Sequence, residues 1–213
     1  LLDKNKNLHL GKLCKSVYLN NPITFSLLPN AIVGYYFDRF LLNLFKEWRN
    51  LIDSDLQARQ GHALVSDNHF RLFWEVPVYY RRDGRFEVLY NGAEFSLFAI
   101  PTRDLTLFGP NGKFVKDHPS VVLRNPAYQF LEGVGYGKRG DILDAHILPQ
   151  HAIFTSEGQA ITGISEKEIP YVLAFLNSSL AQYTINQYCG QHKHCGYINL
   201  LPLPQTSKSL KEK

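Results

Sequence analysis

The sequence predicts an α+β fold: a mainly antiparallel, twisted β-sheet core with one helix before it in the chain and one after. Two stretches, at about 35–52 and 166–186, carry apolar residues at three- and four-residue steps, the period of a helix with one buried face. Between them, from about 68 to 160, short apolar or alternating runs are divided by Gly, Pro, Asn and Asp, the punctuation of strands and tight turns. Strands grouped together, with helices outside the group, belong to the segregated α+β class.

Residues 1–30 read as polar and irregular, with a strand-like Ser16-Val-Tyr-Leu19 and turns at Asn20-Asn-Pro22 and Pro29-Asn30. The first helix has the stripe Phe37, Phe40, Leu41, Leu44, Trp48, Leu51 and Ile52, with Arg39, Lys46, Glu47 and Arg49 between. Candidate strands follow at 71–80, 86–90, 95–100, 120–123 and 152–154. Asp83-Gly84 is expected to turn a β-hairpin whose tip carries Arg81, Arg82 and Arg85, and Gly109-Pro-Asn-Gly-Lys113 reads as a second loop. The stretch Gly133-Val-Gly-Tyr-Gly-Lys-Arg-Gly140 reads as a glycine-rich basic loop. The second helix has the stripe Ile169, Val172, Leu173, Leu176, Leu180 and Tyr183, a Ser165-x-x-Glu168 capping box, and Pro170 in its first turn. A loop at 189–196, a strand-like apolar run at 197–204 and a Lys-rich tail complete the chain, which divides into a connecting segment 1–54, a main domain 55–204 and a tail 205–213.

Composition narrows the class. Apolar content of 45% and charged content of 20% suit an ordinary globular protein, and the net charge of +4 is too small to name a partner without knowing where the charges lie. Cys14, Cys189 and Cys195 make an odd count without framework spacing, and the opening Leu-Leu-Asp-Lys-Asn-Lys carries no secretory signature. A reducing cytoplasm is expected. The absence of Met from all 213 residues, the first included, reads either as a fragment of a longer protein or as a sequence from which methionines are missing.

Each candidate for chemistry has a plain alternative. The glycine-rich stretch contains Gly135-x-Gly-x-x-Gly140, the spacing of a dinucleotide fingerprint, but lacks the buried strand before it and the full helix after it that would cradle a pyrophosphate. A bare glycine turn and a phosphate-facing loop using Lys138 and Arg139 remain. Cys189-x-x-His192-x-His194-Cys195 offers four zinc-type ligands within seven residues, too compact for a usual structural site, so an incidental polar loop is the alternative. Arg81, Arg82 and Arg85 suit either a solvated tip or a basic hairpin in a groove, where arginine bonds guanine or phosphate in a bidentate manner. The run around Trp74-Glu75 reads as core, in which Glu75 needs a partner. No Asn/Asp-Pro-Pro-Tyr/Phe, His-Glu-x-x-His, Gly-x-Ser-x-Gly or Walker A motif occurs, so no catalytic residue and no metal ligand is assigned.

Several motifs, in order, carry a resemblance. Arg59-Gln-Gly61 followed by Ser66-Asp-Asn-His-Phe-Arg-Leu-Phe-Trp-Glu-Val76 resembles a "QG…T-x-D-N-x-x-F-x-R-x-W-W-E-V" stretch of large bacterial adenine-N6 DNA methyltransferases. These are enzymes of fused restriction–modification proteins and of BREX- and DISARM-type phage defence. The stretch is one residue short between Asn68 and Arg71, and a methionine lost after Phe70 would restore it. Gly133 to Arg139 is similar to "G-L-T-Y/W-x-x-R", Ile147-Leu-Pro-Gln-His-Ala-Ile-Phe154 with Glu157-Gly158 to "V-L-P-x-G-x-I-F-x-x-x-G", Leu173-Ala-Phe-Leu-Asn-Ser178 to "L-L-A-L-L-N-S", and Ile198-Asn-Leu-Leu-Pro-Leu-Pro204 to "I-x-x-I-P-L-P". The chain departs from the pattern at Gly135, where the family has Thr, at Gly140, where it often has Thr, and near Tyr90, where a Trp is expected.

The resemblance implies a target-recognition domain that reads double-stranded DNA beside the N-terminal methyltransferase domain of the same parent protein. That domain would bind S-adenosylmethionine and take the flipped adenine; no cofactor is expected in this chain. On this reading Lys138 and Arg139, with some of Lys113, Lys116, Arg124 and Lys193, contact phosphates, and Arg81, Arg82 or Arg85 reaches base edges. All nine cations are expected on one concave face. The rivals are a zinc- or RNA-binding module using the Cys189–Cys195 loop, a small hydrolase without a local motif, and a protein scaffold.

Overall fold

A computed structural model describes residues 21–31, 33, 37–65, 70–92, 95–101 and 103–205. The expected strand at 16–19, the motif residues 66–69 and the tail from 206 onward lie outside the described residues. In chain order the strands are β1 (Ala58–Arg59), β2 (Phe70–Leu72), β3 (Phe86–Tyr90), β4 (Asp104–Leu107), β5 (Gly133–Gly137), β6 (Ala145–Ile147), β7 (Ala152–Phe154) and β8 (Gly158–Thr162). The helices are α1 (Arg39–Glu47), α2 (Val78–Arg82), α3 (Ile169–Leu176), α4 (Ser179–Tyr188) and α5 (Cys195–Ile198). The fold is α+β, with two four-stranded sheets in place of one. The first runs β1-β8-β5-β6 and is antiparallel throughout. The second runs β2-β4-β3-β7, antiparallel except for the β3–β7 pair. Among the described residues no helix is long and apolar enough to cross a membrane.

The first sheet is covered on both faces. Val134 and Tyr136 of β5 and Ile161 of β8 join Val172, Phe175 and Leu176 of α3, Ile185 of α4 and Ile198 of α5 in the largest core. On the other face Ala160 meets Tyr90, Phe154 and Leu148 from the side of the second sheet. The glycine-rich stretch is therefore a buried strand, not a loop. Its glycines fall at 133, 135 and 137, a two-residue period that puts them all on one face. A Cβ on Gly135 would stand 2.9 Å from the Tyr90 ring, so the missing side chain is what lets the second sheet close in. The glycines answer to packing, and the sequence reading of this stretch as a loop is corrected for Gly133–Gly137.

Other expected elements break for visible reasons. The strand at 71–80 stops at Leu72; a short 3-10 turn follows, and Pro77, which cannot donate to a sheet ladder, precedes α2. Glu75 finds its partner locally, accepting the Leu72 amide at 2.6 Å. The arginines at 81 and 82 thus end a helix, and no hairpin carries them. Residues 95–100 and 120–123 supply only single bridges, Phe98 to His146 and Val122 to Ala63. The first helix is Asp38-capped and ends at Glu47, because the backbone beyond it pairs with the C-terminal segment: Leu51 donates to Leu201 and Leu203 to Arg49. The second predicted helix is two. Asn177 leaves the helix to clamp Ala145 of β6, accepting its amide at 2.9 Å and donating to its carbonyl at 2.8 Å, and Ser178 caps α4 through the Ala181 amide. The run at 197–204 is not a strand: α5 occupies its start, and Asn199 then clamps Ala58 of β1 through both amide groups. Ser165 and Glu168 do bond each other, in the turn before α3.

Candidate nucleic-acid interface

Arg81, Arg82, Arg85, Lys113 and Lys116 gather around the start of β3, Lys138 and Arg139 lie beyond its far end, Arg124 is anchored through His62 beside β7, and Lys193 is withdrawn inside. At the start of β3, Arg85 follows the α2 turn, and its carbonyl accepts the amides of Phe108 at 3.1 Å and Gly109 at 3.2 Å. These bonds set the 109–124 loop, with Lys113 and Lys116 exposed on it, beside the turn that carries Arg82 and Arg85. Arg124 closes the loop. Its amide donates to His62 Nδ1 at 3.0 Å, the His62 ring lies 5.7 Å from Phe108 and nearly parallel to it, and Gln129 bonds the Phe154 amide next to it. Desolvation lowers the His62 pKa to about 4, so the ring stays neutral and can accept that bond.

The arginines of this end rest on aromatic rings. Arg81 lies 4.0 Å over Phe73 and Arg85 4.2 Å over Tyr80. Arg85 also pairs with Asp83 at 3.3 Å, with both side chains more than two-fifths exposed. Arg82 is exposed on the last turn of α2.

The far end of β3 is different. Lys138 and Arg139, which follow β5, both reach Glu157, at 3.0 and 2.7 Å. Burial pushes the Glu157 carboxyl up, but bonds and charge from Lys138 and Arg139 outweigh it, and the net shift is downward. The pairing of β5 with β8 builds this clamp: it sets Gly137 opposite Gly158 and so returns residue 157 to residue 138, a relation that no local sequence signal carries. Lys193 is fully buried, and its ammonium donates to the carbonyls of Gly140 at 2.6 Å and Gly190 at 3.1 Å. Desolvation lowers its pKa. Lys193 is a structural cation and leaves the set of phosphate contacts. The two ends of β3, Phe86 and Tyr90, are four residue steps apart, about 13 Å of extended chain, and with Lys193 buried the nine cations do not share one exposed face.

Lys193 ties the Cys189–Cys195 loop to Gly140 through its ammonium. Among the described residues no group of three His, Cys, Asp or Glu side chains is placed to hold an ion. Burial raises the pKa of both thiols, Cys189 and Cys195, which keeps them protonated. Between the sheets, the Tyr90 hydroxyl and His146 Nε2 are buried without a hydrogen-bond partner among the described residues, and burial raises the Tyr90 pKa and lowers that of His146. Trp74, expected in the core, is 71% exposed.

No protein-family model and no curated protein sequence matches this chain.

Proposed function

We propose that this chain reads double-stranded DNA, as the target-recognition part of an adenine-N6 methyltransferase whose catalytic domain, with its S-adenosylmethionine, is a separate unit of the same parent. Two things support the reading: the ordered run of motifs from Arg59 to Pro204, and the juxtaposition that carries the argument, the bonds from Phe108 and Gly109 to the Arg85 carbonyl that set two basic loops side by side. Arg82, Lys113, Lys116 and Arg124 supply phosphate contacts from those loops, and Arg85, stiffened over Tyr80, is an arm for a base edge in the major groove. Lys138 and Arg139 are secondary, since Glu157 already neutralises part of their charge.

The test is a salt titration of duplex binding. Each phosphate contact contributes about 0.9 to the slope of log K against log salt, so replacing the phosphate-assigned Arg82, Lys113 and Lys116 together by Ala flattens it by roughly 3 units. An unchanged slope removes this face from the DNA. The purified chain transfers no tritium from labelled S-adenosylmethionine to DNA; transfer would contradict the division of labour.

A further inference from the structure

The segment between β2 and β3 displays large aromatic side chains where a soluble surface has no use for them. Trp74 is 71% exposed, Tyr79 61% and Phe73 38%. Two rings of the segment are already seats for cations, Phe73 under Arg81 and Tyr80 under Arg85, and Tyr79 stacks at a tilt on Tyr80 with centroids 4.1 Å apart. The outward area that remains belongs to Trp74 and Tyr79.

Charge decides what such a surface fits. Residues 70–85 contain Arg71, Arg81, Arg82 and Arg85 against Glu75 and Asp83. Both acids are turned to their own chain: Glu75 accepts the Leu72 amide, and Asp83 accepts the Arg85 amide and pairs with its guanidinium. Aromatic faces in a field of arginines match a partner that is anionic along its backbone and has flat, polarisable rings beside it. That is a nucleic acid with a base out of its stack. An apolar peptide would leave the arginines without partners, and an acidic one would leave the indole without a flat surface to cover.

We propose that Trp74, with Tyr79 of the same segment, is a stacking platform for an unstacked base of the bound DNA, with Arg82 holding a phosphate beside that base. This rests on the DNA-reading proposal and adds a role that phosphate contacts do not supply: preference for DNA whose helix is locally opened. Stacking is indifferent to the identity of the base, so the platform adds affinity for distortion and leaves sequence choice to other residues.

The experiment compares a short perfect duplex with the same duplex carrying one unpaired base, using the full chain. The wild-type protein binds the second probe about tenfold more tightly. Trp74→Ala removes the preference, Trp74→Phe retains most of it, and the salt slope is the same for all three proteins. The chain has two tryptophans, so in a Trp48→Phe background the emission reports Trp74 alone, and it is quenched by the opened duplex. Equal affinity of the wild-type chain for the two probes, or a Trp74→Ala protein that keeps the preference, overturns the platform while duplex binding and its salt slope leave the reading function standing. Absence of binding to either probe overturns both.

Discussion

The first sheet and the basic loops at the start of β3 are built on opposite terms. Every residue of β5 and β8 is buried, and no residue of α2 is. In the sheet, identity is dictated by space: glycine on one face because a neighbouring sheet lies there, Val and Tyr on the other because helices do. In the loops, identity is dictated by charge and reach, and a side chain can change with little effect on its neighbours. Of the motifs on which the proposed reading rests, those at 133–139, 147–158, 173–178 and 198–204 lie on the sheet side of this division, and the stretch that ends in Trp74 and Val76 lies on the other. Gly61, Phe154 and Gly158 make close backbone approaches, and Asn177 and Asn199 clamp strand edges. A likeness at these positions speaks for a frame, and leaves the contact surface to be argued from its own chemistry.

The sharpest way to break the comparison is to set one glycine from each region against the other. A Cβ on Gly61 would lie 1.9 Å from the Phe154 carbonyl oxygen, a backbone atom that moves only if the Gly61–Thr155 and His62–Phe154 bonds open. Gly61→Ala is expected to cost more than about 3 kcal/mol. At Gly84 a Cβ would meet nothing closer than 3.8 Å, and only its φ of +70° opposes a side chain. Gly84→Ala then costs about 1 kcal/mol. Urea unfolding of both variants measures the difference, and equal midpoints would end the claim that the frame is sterically fixed.

A smaller effect links the two regions through His62. Its folded pKa, about 4, is depressed below the ordinary histidine value, so the unfolded chain takes up a proton first as the pH falls. The stability tied to the neutral ring is whole above about pH 6.5 and is lost as the pH drops toward 4, by roughly 2–3 kcal/mol. Below that range the protonated ring cannot accept the Arg124 amide, and the basic loop loses its anchor. Unfolding free energy measured from pH 7 to pH 4 should fall more steeply in the wild type than in His62→Gln; parallel curves would remove His62 from the account.

What could be read from the chain follows the same division. The α+β class and the strands at 86–90 and 152–154 were legible because local period set them, whereas the expected Ser165 cap did not set α3, whose N-cap is Glu168 without a side-chain bond. The glycine-rich strand was not, because glycine opens a loop and permits a close approach by the same absence of a side chain, and only the tertiary partner, the Tyr90 ring, tells the two apart. Trp74 and Val76 alternate as a strand would, yet Pro77 redirects the chain and leaves the indole outside. The cations were legible as a set but not as a surface. Nothing local in Lys193 says that carbonyls of Gly140 and Gly190 will enclose it, and nothing local in Lys138 says that Glu157 returns to it across two strands.

That return gives the finest test of the division, because Lys138 and Arg139 have the composition of the contact surface and the environment of the frame. Glu157 is about one-third exposed, so its pairs contribute little to stability, and Glu157→Gln should cost under about 1 kcal/mol at neutral pH. The sign follows from its lowered pKa: the contribution is present above the ordinary carboxylate range and fades as the pH falls through the folded value, so variant and wild type converge in acid. On DNA, Lys138→Ala with Arg139→Ala should flatten the salt slope by less than one unit, where two phosphate-bound cations would flatten it by about two. A loss of two units would mean that the carboxylate yields both cations to phosphate on binding. The far end of β3 would then belong to the contact surface, and the DNA would have to span about 13 Å along that strand rather than sit at its start.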